Sequence, residues 1–549
     1  MSRPFPTANF RRLLVACLTS FITLLAPLGS MSKGANFGST SGTTGIGSSS
    51  SPAALAGRYA APVASTAPAS HRPAALPPGL NLVVNSIGDE PDDTLDGDCD
   101  TDLSGDGSQC TLRAAIQETN FTPGDDTITF SLPPNSIITL TSPLDDILES
   151  VKIDGPSTRV TVSGDYEFRV FSVLVGNVSI SNLTITEGVE NAGGGIFNVA
   201  NLRILNSTFT DNHAEGAGAE GGAIYSDGGL LTIINSTISG NSSDGDGGGL
   251  LNCGTSTAVL DNVTITDNYA DADGDESGSG GGIAQVSTNP ITIRNTIVAG
   301  NFVGSSGTIP DDIGGTMDPG SDYNLIGDAV TSGGLSGVGE NQVGVADPGL
   351  GLLANNGGPT RTHRLLPGSP AIDQGKNFAT DEFSSPILTD QRGEPRPVDL
   401  AEADAMGGDG SDIGAYELQD ETPQAGTTLI VNTSDDHDDG ACTDTDCTLR
   451  EAIILANSDS DNTTITFDIP GPGPHVIQLT DPLDELETDM SIEGPTAESV
   501  EVRGEGFYGI FAIIYPVVSI SNLTISNGGE IAGGAIYNEG DLELTNCRF

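Results

Sequence analysis

Five segments of this chain align on a central asparagine: SISNLTITEG (179–188), RILNSTFTDN (203–212), TIINSTISGN (232–241), VLDNVTITDN (259–268) and TIRNTIVAGN (292–301). Three columns run through them. Ile180, Ile204, Ile233, Leu260 and Ile293 make one apolar column, and Ile185, Phe209, Ile238, Ile265 and Val298 make another. Between them lies a polar column of Asn182, Asn206, Asn235, Asn262 and Asn295, with spacings of 24, 29, 27 and 33 residues. That is a solenoid period, and each repeat needs its neighbours to bury its apolar face. SISNLTISNG (519–528) and ELTNCRF (543–549) restart the series.

Within each segment apolar and polar residues alternate, and β-branched side chains dominate, which is the pattern of a strand. Short strands repeated at this period without helices predict an all-β chain folded as a right-handed parallel β-helix. Successive coils then stack at about 4.8 Å. Stacked Ile and Phe bury a continuous core, and the Asn amides are expected to hydrogen-bond along the axis, since buried amides need partners. Asn-x-Ser/Thr at 182, 206, 235 and 262 mimics glycosylation acceptors, but a place in the stacked column accounts for it better.

Glycine-rich pieces separate the strands: GGGIF (193–197), GGAIY (221–225), GGGLL (247–251), GGGIA (280–284) and GGAIY (533–537). Coil length varies at one corner, just before these glycines. The loops there are acidic, with Asp244 and Asp246 in one and Asp271, Asp273, Asp275 and Glu276 in the next. Loops extruded from one edge of a solenoid either make its binding face or are solvated turns.

A longer repeat encloses the short one. CTLRAAIQETN (110–120) returns as CTLREAIILAN (447–457), each time after a short apolar strand, LVVNS (82–86) or LIVNT (429–433), and an acidic loop. The apolar spacing is that of a short helix. A helix placed ahead of a solenoid covers its open end, so each copy reads as an N-terminal cap. CTLRAAI and CTLREAI resemble the CSLREA-type domain of exported bacterial β-helix proteins. GGAI at 221–224 and 533–536, with FTDN at 209–212, is similar to the repeats of polymorphic outer-membrane autotransporters, which act in adhesion. DPGLGLLANNGGPTRTHRLLPGSPAID (347–373), DQRGEPRP (390–397) and DIGAYE (412–417) resemble the choice-of-anchor Q region. These resemblances imply a pectate-lyase-like β-helix at the cell surface.

The chain therefore divides into a leader (1–30), a Ser/Gly/Ala/Pro linker (31–79), a cap with the first coils (80–177), the repeats (178–327), a closing region (328–420), a linker (421–428) and a second cap with its own coils (429–549). The second series aligns at Phe549 with the second coil of the first, so it is expected to continue further. Arg3, Arg11 and Arg12 precede the apolar run LLVACLTSFITLLAPLG, which reads as a secretory signal peptide, and no second run long enough to span a membrane follows.

Residues 1–79 hold six Lys/Arg and no acidic residue, leaving 20 − 6 = 14 basic against 75 acidic side chains in the remainder. Such a body repels nucleic acid, anionic membranes and polyuronates. Its expected partners are a cell-surface glycan or protein, and divalent metal. In an exported chain the local pairs Cys99/Cys110 and Cys442/Cys447 are expected to be disulfides. DCDTDLSGDG offers Asp98, Asp100, Asp102, Ser104 and Asp106 as the oxygen-rich first half of a calcium loop, although Thr111 stands where the closing Glu belongs. A solvated acidic loop pinned by a disulfide is the alternative.

Adhesion or structural display is the leading functional expectation, with calcium as the only cofactor. A polysaccharide lyase or hydrolase is the alternative. A lyase needs a basic residue to abstract the proton, yet the coils hold few: Arg203, Arg294 and, before them, Lys152. Asp311 and Asp312 are adjacent rather than opposed across a groove, and no catalytic residue is assigned. His363 is expected to be structural, and Arg361, Arg364, Arg392 and Arg396 to pair internally with acidic neighbours.

Overall fold

The computed structural model describes residues 79–549 apart from 102–108, 217, 459–461, 497–498, 505, 507–508 and 530–532. It is a parallel β-solenoid with two α-helices among the described residues. One coil shows the plan. Asn201–Leu205 runs along the first face, Asn206 turns the chain, and Thr208–Thr210 continues in the same sheet. His213–Ala214 lies on a short second face, the corner loop follows, and Ile224–Ser226 makes the third. The third face stacks six strands, from Phe171–Val173 to Ile313–Gly314.

The register matches the columns read in the sequence. Ile204 pairs with Ile180 and Ile233, Ile233 with Leu260, and Leu260 with Ile293. Phe209 pairs with Ile185 and Ile238, and Ile265 with Ile238 and Val298. Every one of these ten side chains is fully buried. Each buried aliphatic side chain contributes about 2 kcal/mol, so these columns are a large share of the stabilisation of the coils.

The asparagine that divides the first face is left-handed in every coil, with φ of 57°, 47°, 45°, 55° and 51° at 182, 206, 235, 262 and 295. Asn tolerates this conformation better than other side-chain-bearing residues, so the column is a set of turns as well as a set of amides. Asn206 donates to Asn182 at 3.2 Å, Asn262 to Asn235 at 3.0 Å and Asn295 to Asn262 at 3.0 Å. The ladder breaks at one rung, where Asn235 donates instead to the Thr389 carbonyl at 2.8 Å. The glycine pieces obey a similar constraint. Gly221 has φ +69°, and a Cβ on Gly222 would lie 2.2 Å from the Gly248 carbonyl oxygen in the next coil.

Helix α1 (Leu112–Phe121) packs on the first strand, Asn81–Val84, and its Leu112, Ala115 and Ile116 join the solenoid core with Ile128 and Ile138. Thr111 caps it by accepting the Ala114 amide. Helix α2 (Leu449–Ser458) repeats the arrangement against Thr428–Val431 with a capping box: Thr448 Oγ1 accepts the Glu451 amide at 3.1 Å and Glu451 accepts the Thr448 amide at 2.8 Å. The repeated arginine has its own task. Arg113 pairs with Asp89 at 2.7 Å and donates to the carbonyls of Ser142 and Pro143. Arg450 does the same with Asp436, Asp481 and Pro482. Each arginine ties its cap helix to a loop about 30 residues further on, after the second strand that follows the helix.

The region after residue 345 lies along the flank of the coils, over the asparagine corner. Asn377 Oδ1 and the Asp412 carbonyl accept from Asn262 and Asn295, and Gln391 bonds Thr208 and Thr237. Its arginines are all paired: Arg361 with Asp481, Arg364 with Asp438, Arg392 with Asp390 and Arg396 with Glu417. The first two pairs reach into the second cap.

Candidate functional site

The acidic corner is built by three successive coils. Strands His213–Ala214, Ser242–Ser243 and Tyr269–Ala270 stack on one short face and deliver their loops to one edge. Glu220, Asp244, Asp246, Asp273 and Asp275 then line a single cleft of about 90 Å³, together with small residues such as Gly216 and Gly245. No Lys or Arg lines it. Burial raises the Glu220 carboxyl above its ordinary range, and Asp246 and Asp227 push it further. Asp271, Asp273 and Asp275 each present an oxygen within 4.8 Å of the others.

Local bonds hold the loops in shape. Asp271 is buried and accepts the Glu276 amide at 3.1 Å. Asp244 accepts the Gly216 amide at 2.8 Å and lies 3.6 Å from His213 Nε2. Asp246 accepts the Ser279 hydroxyl at 2.9 Å. The corner thus brings Asp244, Asp246, Asp273 and Asp275 together from two loops, adds Glu220 from a third, and uses Asp271 as a brace. Glu276 contributes its amide to that brace and is not among the residues lining the cleft. A set of oxygen donors with little positive charge nearby is the chemistry of a hard cation such as calcium.

In the first cap Cys99 and Cys110 are joined by a disulfide with Cα atoms 5.1 Å apart, and Cys442 and Cys447 by one with 4.1 Å. Of the calcium-loop residues, Asp98 is exposed and Asp100 donates its amide to Asp92 at 3.1 Å. Asp102, Ser104 and Asp106 lie outside the described residues.

The remaining candidate residues all have partners within the protein. His363 is buried between the Gly351 carbonyl and the Ser239 hydroxyl, each at 2.8 Å. Asp311 accepts the Gly280 amide and Asp312 the Asn301 amide groups. Arg294 forks onto Asp261 with two 2.7 Å bonds, Arg203 donates to the Thr380 carbonyl, and Lys152 lies 3.0 Å from Asp154.

Residues 206–227 match the Chlamydia polymorphic membrane protein repeat. No curated protein and no solved structure matches the chain. The matched stretch runs from the turn at Asn206, through FTDN and the first acidic loop, to the residue after the GGAIYS strand, which is about one coil. The chain is a parallel β-solenoid, and one stretch of it, residues 206–227, is similar to a polymorphic membrane protein repeat.

Two further groupings escaped the sequence reading. In the second cap His437 sits among Asp446 at 3.2 Å, Asp439 at 3.8 Å and Glu451 at 4.0 Å. There the imidazolium itself supplies the positive charge that the carboxylates need. The other is an inner asparagine column. Asn212 donates to Asn241, Asn241 to Asn268 and Asn268 to Asn301, each at 2.9 Å and each fully buried. FTDN, ISGN, ITDN and VAGN carried that signal at a constant offset of six from the outer column.

Proposed function

We propose that this is an exported surface β-helix protein for adhesion or structural display, whose stacked acidic corner binds calcium and presents a rigid face to a cell-surface glycan or protein. The observation that carries the reading is the gathering of five carboxylates from three coils around one cleft with no basic lining residue. Pressed together, such charges repel one another, and a bound divalent cation offsets that cost while cross-linking neighbouring loops. The match to a polymorphic membrane protein repeat supports a surface location, as do the resemblances to CSLREA-type and choice-of-anchor Q regions. No helix among the described residues is long and apolar enough to cross a membrane.

The test is a melting experiment at constant ionic strength, paired with glycan and cell-binding arrays. Calcium should raise Tm well beyond magnesium, and D273N/D275N should remove most of the difference. Equal responses to the two ions would reduce the corner to charge screening. Release of reducing sugar or of unsaturated product from a polysaccharide panel would favour the enzymatic alternative.

A further inference from the structure

A second acidic grouping lies in the flanking region, away from the corner loops, and it contains a buried oxygen with nothing to bond. Asp373 is fully buried, just after Ala371 and Ile372 in a small apolar cluster. The segment 399–405 wraps around it. Leu400 donates its amide to Asp373 Oδ1 at 3.1 Å, Ala405 donates to the Asp373 carbonyl at 3.2 Å, and Gln374 donates to the Ala403 carbonyl. Asp373 Oδ2 is buried and has no hydrogen-bond partner. Asp373, Asp399 and Asp404 each place one carboxylate oxygen within 4.8 Å of the other two.

Among the described residues no Lys, Arg or His forms an ion pair with any of the three. Lys376, the near cation, donates to the Gly407 carbonyl and lies over the Tyr323 ring. A buried carboxylate oxygen without a partner, on a residue grouped with two more carboxylates, is costly unless a cation joins them. Two oxygens on one calcium ion, each at about 2.4 Å, stand at most about 4.8 Å apart. The three oxygens fall inside that span, and an all-oxygen set selects a hard cation.

We propose that Asp373, Asp399 and Asp404 form a calcium site that clips the 399–405 segment onto the flank of the solenoid. It is separate from the acidic corner, and its ligands come from a buried anchor and an exposed segment rather than from stacked loops. Tyr323 gives it a reporter, because its hydroxyl donates at 3.1 Å to the carbonyl of Met406, just beyond the segment.

The experiment uses the whole chain stripped of metal. Terbium luminescence excited through tyrosine and calcium titration calorimetry are compared for wild type, D399N/D404N, D373N, Y323F and D273N/D275N. Asp399 and Asp404 are exposed, so their double variant should melt as cooperatively as wild type in chelator. The expected result is one calcium fewer per chain in D399N/D404N, with loss of the part of the tyrosine-sensitised terbium emission that Y323F also loses, and lower emission in Y323F at unchanged calcium stoichiometry. D273N/D275N should keep this site, which separates its failure from failure of the corner. D373N should be at least as stable as wild type in chelator and less stable in calcium, a reversal that a purely structural aspartate would not produce. Unchanged calcium stoichiometry in D399N/D404N, or a D373N chain destabilised equally with and without calcium, overturns the site.

Discussion

Asn301 donates its side-chain amide to Asp312 Oδ1 at 2.9 Å, so the inner amide ladder ends on a carboxylate rather than on water. The same oxygen accepts the Asn301 backbone amide at 3.0 Å, and Oδ2 accepts the Asp328 amide at 2.7 Å. At the other end Gly188 donates its amide to Asn212 at 3.0 Å. The ladder is therefore terminated at both ends. Removing the carboxylate strands buried donors, and each such group costs about 1–3 kcal/mol. Asp312→Ala should lower unfolding free energy by about 3 kcal/mol in urea titration. A loss below about 1 kcal/mol would show that water or a neighbouring carbonyl takes over.

The two asparagine columns should respond differently to substitution. Asn268 bonds the carbonyls of Ile238 and Thr266, donates to Asn301 and accepts from Asn241. Asn268→Ala is expected to cost about 3 kcal/mol, because every one of these groups is buried. Asn182 is half-buried, and glycine at that position keeps the left-handed turn. Asn182→Gly should cost about 1 kcal/mol or less. Equal losses would mean that the outer column holds the coils in register as firmly as the inner one.

The outer column was legible in the sequence because its Asn sits between two apolar columns of fixed offset. The inner column was quoted in the same segments yet hidden, because the first of them carries Gly188 where the others carry Asn. The core was readable for the usual reason in strands: a period of two leaves no choice of face. The corner loops were readable as one face since their length variation collects at one place. By contrast Asp373 lies 26 residues before Asp399 and 31 before Asp404, in segments with no periodicity at all. Only the wrap of 399–405 around Asp373 joins them. The repeated Arg113 and Arg450 were likewise visible as a motif, but not their bonds to carbonyls about 30 residues further on.

Cysteine chemistry offers a separate check. Non-reducing peptide mapping should recover Cys99 with Cys110 and Cys442 with Cys447. Reduction of the first should cost about 3 kcal/mol through the added freedom of the unfolded loop. Cys253 is free and buried, and burial pushes its thiol up to about 12. It should resist iodoacetamide in the folded protein, while the less buried Cys547 reacts. Labelling of Cys253 at the rate of Cys547 would show that its coil opens readily.

The second cap should make stability depend on pH in the mildly alkaline range. Burial alone would lower the His437 pKa. The hydrogen bond to Asp446 and the charges of Glu451, Asp446 and Asp439 outweigh it and raise the value to about 9. The folded chain then holds this proton more tightly than the unfolded chain, whose histidine titrates near 6.5. The stabilisation is fully present below about pH 6.5 and is lost as pH rises through about 9. Glu451 is also raised, first by burial and next by Asp439, with the His437 charge opposing, so the two groups titrate as a pair and stability falls as pH rises. His437→Gln removes the titrating charge while leaving a hydrogen-bonding side chain. At pH 6 the variant should be about 2 kcal/mol less stable than wild type by urea titration, and the gap should close toward pH 10. A gap that stays constant across that range would mean His437 contributes packing and hydrogen bonds only, with its charge already compensated in the unfolded chain.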